Sequence, residues 1–189
     1  EGIDTAYIHG AEGRRLHGFS APCEMPNKAG WTVRAPIGVA GLITPWNFPM
    51  AIPTWKSFPA LVSGNTVVFK PASDVPHTGD LFAEILMEAG VPEGVFNLVH
   101  GDGRNAGAAI VKHPDTRIIS FTGSSEVGRE INSIGGDMLK RGSLELGGKN
   151  AQAVMEDADL DLAIEGVLWG AFGTTGQRCT ATSRLILHK

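Results

Sequence analysis

From Pro36 onward the chain alternates short apolar runs with helix-length stretches, and this alternation limits the possible folds more than any other feature. Residues 37–43 read as a strand buried on both faces. Residues 50–62 read as a helix bent or interrupted by Pro53 and Pro59, and 66–69 as a second buried strand. Residues 76–89 form an amphipathic helix opened by Pro76 and closed by Gly90. Strands at 95–99, 117–121 and 143–146 then alternate with helices at 105–112 and 125–134. A strict order of this kind calls for right-handed crossovers and a parallel sheet, and ligands of such sheets sit beyond the carboxyl ends of the strands.

The expected fold is therefore α/β: a Rossmann-like, doubly wound parallel sheet of about five strands over residues 37–147. Residues 1–15 form an N-terminal segment, a helix end or a loop. Residues 16–36 read as a β-hairpin, with strands 16–21 and 30–34 joined by a Pro/Asn-rich loop. A lone two-stranded ribbon is marginal in water, so the hairpin is expected to pack on something, a second subunit being one choice. After Gly148 a new unit begins. It has a strand at 151–155, a helix from Asp159 or Asp161 to Phe172, a cysteine loop and a strand at 184–188. Residues 148–189 hold too few elements to close a core, and read as the start of a second domain. The chain opens on Glu1 rather than Met, which suggests a piece of something longer.

Composition narrows the function. The net charge of -4 and the scattered lysines and arginines offer no surface for nucleic acid or anionic membrane. No apolar run reaches membrane-spanning length. Two distant cysteines, Cys23 and Cys179, make no disulfide framework, and a cytoplasmic setting is the default. No metal-ligand cluster is expected.

The residues that could carry chemistry fall at strand ends. Gly176-Gln177-Arg178-Cys179-Thr180 puts a thiol behind a glycine turn and beside a cation. It is either a spare thiol or a nucleophile, since nearby cations and N–H groups favour the reactive thiolate. In Thr44-Pro45-Trp46-Asn47-Phe48-Pro49 two prolines fix the loop, so the Asn47 amide is either an oxyanion donor or the pivot of an Asx-turn. Lys70 could hold ribose or phosphate oxygens, or be an ordinary surface lysine. The run from Gly101 to Gly107 approximates a dinucleotide glycine pattern, with Ala106 where its third glycine belongs. Gly123-Ser124 opens a helix and either receives an anion or is a plain serine cap. Glu145 lies in the apolar strand Leu144-Glu145-Leu146. Burial there would make it a stronger base, whereas on an edge strand it would face solvent.

Pro45-Trp46-Asn47-Phe48-Pro49, Lys70-Pro71-Ala72, Phe121-Thr122-Gly123-Ser124, Leu144-Glu145-Leu146-Gly147-Gly148-Lys149 and Gly176-Gln177-Arg178-Cys179 together resemble the NAD(P)-dependent aldehyde dehydrogenase superfamily. The match runs across the whole chain in the family's order, and it implies an internal piece holding most of the cofactor domain and the start of the catalytic domain. The resemblance implies Cys179 as nucleophile, Glu145 as general base, and Asn47 with the Cys179 N–H as oxyanion hole. It implies that Lys70 meets the adenosine ribose, that Gly123 and Ser124 approach the pyrophosphate, and that Gly103 and Gly107 line the adenine cleft. Ile43, Thr44, Pro45, Trp46, Ala72, Ser73, Phe121, Thr122, Val127, Gly128, Leu146 and Gly147 complete the implied NAD or NADP contacts. The substrate would be a small aldehyde, and the hairpin would serve a homo-oligomer, a dimer or tetramer. Many members carry a glutamate where Ser73 stands, so this chain admits the 2′-phosphate of NADP. Competing readings are a CoA-acylating semialdehyde dehydrogenase, a cysteine hydrolase, and a nucleotide-binding or oligomerising piece without turnover.

Overall fold

A computed structural model describes residues 1–189. Helix α1 (Gly2–Gly13) comes first, followed by β1 (Ser20–Ala21) and β2 (Gly30–Trp31). The central unit is β3 (Val39–Ile43), α2 (Ala51–Val62), β4 (Thr66–Lys70), α3 (Pro76–Glu88), β5 (Phe96–Leu98), α4 (Ala108–Lys112), β6 (Thr116–Thr122), α5 (Ser125–Asp137) and β7 (Arg141–Glu145). The chain closes with β8 (Asn150–Val154), α6 (Leu160–Phe172) and β9 (Thr182–Leu187).

The central sheet has five strands, all parallel, in the order β5-β4-β3-β6-β7. The order reverses between β3 and β6. That is the switch point at which open α/β sheets take ligands. Two apolar clusters hold the sheet. Leu42, Val67, Phe69 and Phe82 fill one, with Phe82 edge-on to both Phe69 and Phe96. Ile43, Val111, Ile119, Phe121 and Ile131 fill the other. Helices approach closely where a side chain is missing. A Cβ on Gly41 would stand 2.5 Å from Ile110, and one on Gly128 would stand 2.5 Å from Leu146.

Register aligns the strand ends. Ile43 pairs with both Lys70 and Phe121, and Thr122 pairs with Glu145. The motif residues thus stand along one carboxyl edge.

Three expectations change, and one alternative is decided. Residues 2–13 are a full 12-residue helix packed on α2, hidden in the sequence by glycines at 2, 10 and 13. The hairpin strands shrink to two residues each, with Phe19, Trp31 and Val33 exposed. A ribbon with no third strand and no covering layer has little to extend it. The helix expected at 105–112 begins instead as a π-turn over Gly103–Gly107 and becomes α-helical only at Ala108. Glu145 is exposed on the edge strand β7, the solvent-facing one of the two readings its sequence allows.

The parallel pair β8–β9 with α6 makes one βαβ unit. No residue of α6 is buried, and Leu162, Trp169 and Phe172 face outward.

Candidate active site

A cleft of about 310 Å³ opens at the switch point, between the central sheet and the β8–α6–β9 unit. Its walls include Trp46 and Asn47 from the loop after β3, Gly123 from the turn after β6, Leu146 from the segment after β7, and Arg178 and Cys179 from the loop after α6. Residues 130 positions apart meet here: the Asn47 amide donates from Nδ2 to the carbonyl of Gln177 at 3.0 Å. Its second N–H remains free, and its Oδ1 is buried without a partner. The Cys179 thiol is free and exposed. A thiol beside a fixed amide donor can add to a carbonyl and stabilise the resulting oxyanion.

The loop enters over bare backbone. A Cβ on Gly148 would stand 3.0 Å from the Cys179 carbonyl oxygen. The segment just beyond Glu145 therefore touches the thiol's own peptide, while Glu145, next to the lining residue Leu146, is exposed and does not line the cleft.

The Gly123-Ser124 turn opens α5. Ser124 Oγ accepts from the Val127 N–H at 3.2 Å, an ordinary serine cap. Gly123, Ser124 and Thr122 also line the cleft, so the capped start of α5 opens into it. Pro45 and Gly147 line it too, and nothing lies within 4 Å of where a Gly147 Cβ would stand. Ile43 and Phe121 are different. Their side chains belong to the core, which leaves only their backbone to meet a ligand. Thr44 is buried with an unpartnered Oγ1 beside the cleft loop. Val127 is exposed on α5, and Gly128 is buried against Leu146.

A second polar cluster lies at the ends of β4 and β5. Lys70 is 4% exposed and donates to the Pro71 carbonyl at 2.8 Å. Burial lowers its pKa, and the Asp102 carboxylate acts in the opposite direction. Ser73, just past Ala72, donates to the Gly101 carbonyl at 3.2 Å. A Gly107 Cβ would stand 3.8 Å from the Lys70 stem, whereas Gly103 faces open space. The glycine run from 101 to 107 is closed by its own side chain. Asp102 caps its own turn, accepting from Asn105 N at 2.6 Å and Asn105 Nδ2 at 2.9 Å. These bonds hold its carboxyl below the ordinary carboxylate range. The turn also follows the edge strand β5, away from the switch point.

Sequence reasoning missed Lys56. It sits on α2 with 8% exposure and donates to Ser120 Oγ at 2.9 Å. Ser120 pairs with Ser143 and Thr122 with Glu145. Alternation therefore puts the Ser120 and Glu145 side chains on one face of the sheet, the face Lys56 reaches. Burial brings the Lys56 pKa down to about 8, with Glu145 partly countering it. A lysine in the middle of a proline-bearing apolar helix was the only sequence signal.

Because folding disfavours the Lys56 ammonium, the cost is fully present below about pH 8 and is relieved as pH rises towards 10.5. Lys56→Met is therefore expected to raise stability by roughly 1–4 kcal/mol at pH 7. That gain should shrink between pH 8 and 10.5. Thermal unfolding of the intact protein at both pH values checks this, and a gain independent of pH would contradict it.

No group of three or more His, Cys, Asp or Glu converges as a metal site. No helix is long and apolar enough to cross a membrane.

The sequence model of the aldehyde dehydrogenase family matches residues 1–189. The chain is 50% identical over 184 residues to the 2,5-dioxopentanoate dehydrogenase of Saccharolobus solfataricus, covering 96% of this chain and 38% of that protein. It is 47% identical over 190 residues to the alpha-ketoglutaric semialdehyde dehydrogenase of Bacillus subtilis, covering 99% and 38%. Among solved structures it superposes on the NAD+ complex of an aldehyde dehydrogenase from Bacillus cereus with a TM-score of 0.94 at 39% identity, covering 100% of this chain and 38% of that one. An NADP dependent enzyme of E. coli gives 0.90 at 43% identity, covering 95% and 37%. The chain thus spans about 38% of the length of the curated relatives it matches.

Proposed function

Because this chain belongs to the aldehyde dehydrogenase family, we propose that the intact protein oxidises an aldehyde to a carboxylic acid with NAD or NADP, and that Cys179 is its nucleophile. The observation that carries this is the meeting of Cys179 and Asn47 in one cleft with the Gly123-Ser124 turn.

The Cys179 thiolate adds to the carbonyl carbon, a C–S bond forms, and the π pair moves to oxygen. The free N–H of Asn47 and the Cys179 N–H receive that oxyanion. A bound nicotinamide dinucleotide supplies the hydride acceptor that lets this adduct become a thioester. Glu145 takes a proton from water, hydroxide adds to the thioester carbon, and the C–S bond breaks to return the thiolate. The exposure of Glu145 suits a base that must reach solvent for its water.

The residues fit the cofactor. The α5 N-terminus offers N–H groups and a favourable dipole to a pyrophosphate. Lys70 and Ser73 would face the ribose, with Gly103 and Gly107 beside the adenine. The remaining family positions named above would make the other contacts, Ile43 and Phe121 through backbone. Ser73 itself places no carboxylate against a 2′-phosphate. Ser73→Glu is therefore expected to raise the KM for NADP on the order of 10-fold or more, a like-charge cost, while NAD kinetics move little. Exclusive use of NAD by the unaltered protein would contradict this reading.

We assign residues 37–147 to the cofactor domain and 148–189 to the beginning of the catalytic domain. The exposed apolar hairpin of residues 16–36 is proposed to pair in a homo-oligomer, and the two free cysteines suit a cytoplasmic protein. The relatives named for 2,5-dioxopentanoate and for alpha-ketoglutaric semialdehyde make that oxo-acid semialdehyde the first substrate to try. The decisive assay mixes the intact protein with it and NAD or NADP, with and without CoA. Cofactor reduction without CoA supports hydrolytic oxidation. Reduction only with CoA selects the acylating alternative.

A further inference from the structure

The loop around Cys179 is held by two asparagines, one from the central sheet and one from β8. Asn47, after β3, holds the Gln177 carbonyl at 3.0 Å. Asn150, the first residue of β8, donates from Nδ2 to the Cys179 carbonyl at 2.6 Å and to the Ala181 carbonyl at 3.2 Å. Both of its amide hydrogens are thereby committed to main-chain oxygens that flank Thr180. Between these grips Arg178 donates from Nη2 to the carbonyls of Trp169 at 2.7 Å and Gly170 at 3.2 Å, in the last turns of α6.

The loop needs such restraint. Just upstream, Thr174, Thr175 and Gly176 follow one another with φ of 54°, 53° and 70°. Left-handed backbone is costly for a β-branched threonine, and two in succession persist only where the surroundings over-determine them. Arg178 ties the loop to α6 and Asn47 ties it to the central sheet. Only Asn150 acts on the carbonyl of the thiol-bearing residue itself.

We propose that Asn150 is a positioning residue for the nucleophile: by fixing the Cys179 and Ala181 carbonyls it holds the backbone that carries the thiol without touching the reacting atoms. The proposal rests on the reading of Cys179 as nucleophile. It differs from the role given to Asn47, whose second N–H is free to meet substrate. A carboxylate at position 150 is nearly isosteric but would set an acceptor against two acceptors. A serine keeps one donor on a shorter arm.

The test uses the intact protein and its Asn150→Ala, Asn150→Asp and Asn150→Ser variants. Alkylation of Cys179 by iodoacetamide is followed from pH 6 to 10 without aldehyde or dinucleotide, beside kcat, KM and dinucleotide Kd. Asn150→Ala is expected to lower kcat about 10- to 100-fold, the usual result of slight misplacement of a reacting group, with dinucleotide Kd within about twofold because the α5 turn is untouched. Asn150→Asp is expected to move the pH midpoint of alkylation upward, since a new negative charge opposes the thiolate. Asn150→Ser should fall between wild type and Asn150→Ala. It also keeps the test readable if the other two fold poorly. Wild-type kcat and alkylation profiles in all three variants would overturn the proposal, as would a loss shared equally by dinucleotide Kd and thermal stability. Should the wild type oxidise no aldehyde while the variants still alter alkylation, the activity reading fails and the positioning role stands.

Discussion

Cys179→Ala is expected to abolish aldehyde oxidation by the intact protein, a loss on the order of 10⁴-fold or more of the kind seen when a covalent nucleophile is removed. Dinucleotide binding should survive. The α5 turn and the Lys70–Ser73 cluster come from the central sheet, and neither uses the thiol. Cys179→Ser should behave almost as badly, because a hydroxyl lacks the acidity that makes a thiol available as an anion near neutral pH. Cys23→Ser should change nothing, since Cys23 lies exposed in the hairpin loop. Cofactor reduction and equilibrium dinucleotide binding, measured on the same samples, separate chemistry from assembly. A Cys179→Ala protein that keeps turnover within tenfold of wild type would remove the thiol from the mechanism.

Glu145→Gln is expected to split the reaction in time. The first half needs the thiol and the oxyanion donors, so one equivalent of reduced cofactor per active site should still appear in a burst. The second half needs a base for water, so steady turnover should fall by about 10²- to 10⁴-fold. The isosteric amide keeps the side chain's shape and removes only the proton acceptor. A strong external nucleophile such as hydroxylamine should partly restore turnover by attacking the thioester directly. Equal loss of burst and steady rate would assign Glu145 to the first step instead. Full activity would return it to the status of a solvent-facing residue on an edge strand, which its exposure alone would suggest.

The sheet was legible because its signals are local. Apolar runs such as Val39–Ile43 and the Pro76 start of α3 announce themselves within a few residues. The carboxyl-edge placement of Asn47, Lys70, Gly123 and Glu145 then follows from strict alternation. Helix α1 was not legible, since its glycines weaken propensity and it is held by contact with α2. The exposure of Glu145 depends on β7 being last in the sheet, and strand order is a long-range property. The self-capping by Asp102 was hidden for a different reason. A glycine-rich run states where backbone can approach, and the side chain that fills the turn decides whether anything does. Lys56 was missed because its importance lies in a strand-pairing register that puts Ser120 and Glu145 on one face of β6 and β7. Asn150 was invisible likewise, because its partners lie 29 and 31 residues downstream.

The most direct test is the mass of the nucleophile peptide. Glu145→Gln protein, mixed with a saturating aldehyde and dinucleotide, is quenched in acid within the burst and digested. The peptide bearing Cys179 should carry the acyl group of the substrate at close to one equivalent, and the peptide bearing Cys23 should carry none. Continued aldehyde oxidation with Cys179 unmodified throughout the burst would contradict the thioester, and with it the cleft's assignment as the place where the chemistry occurs.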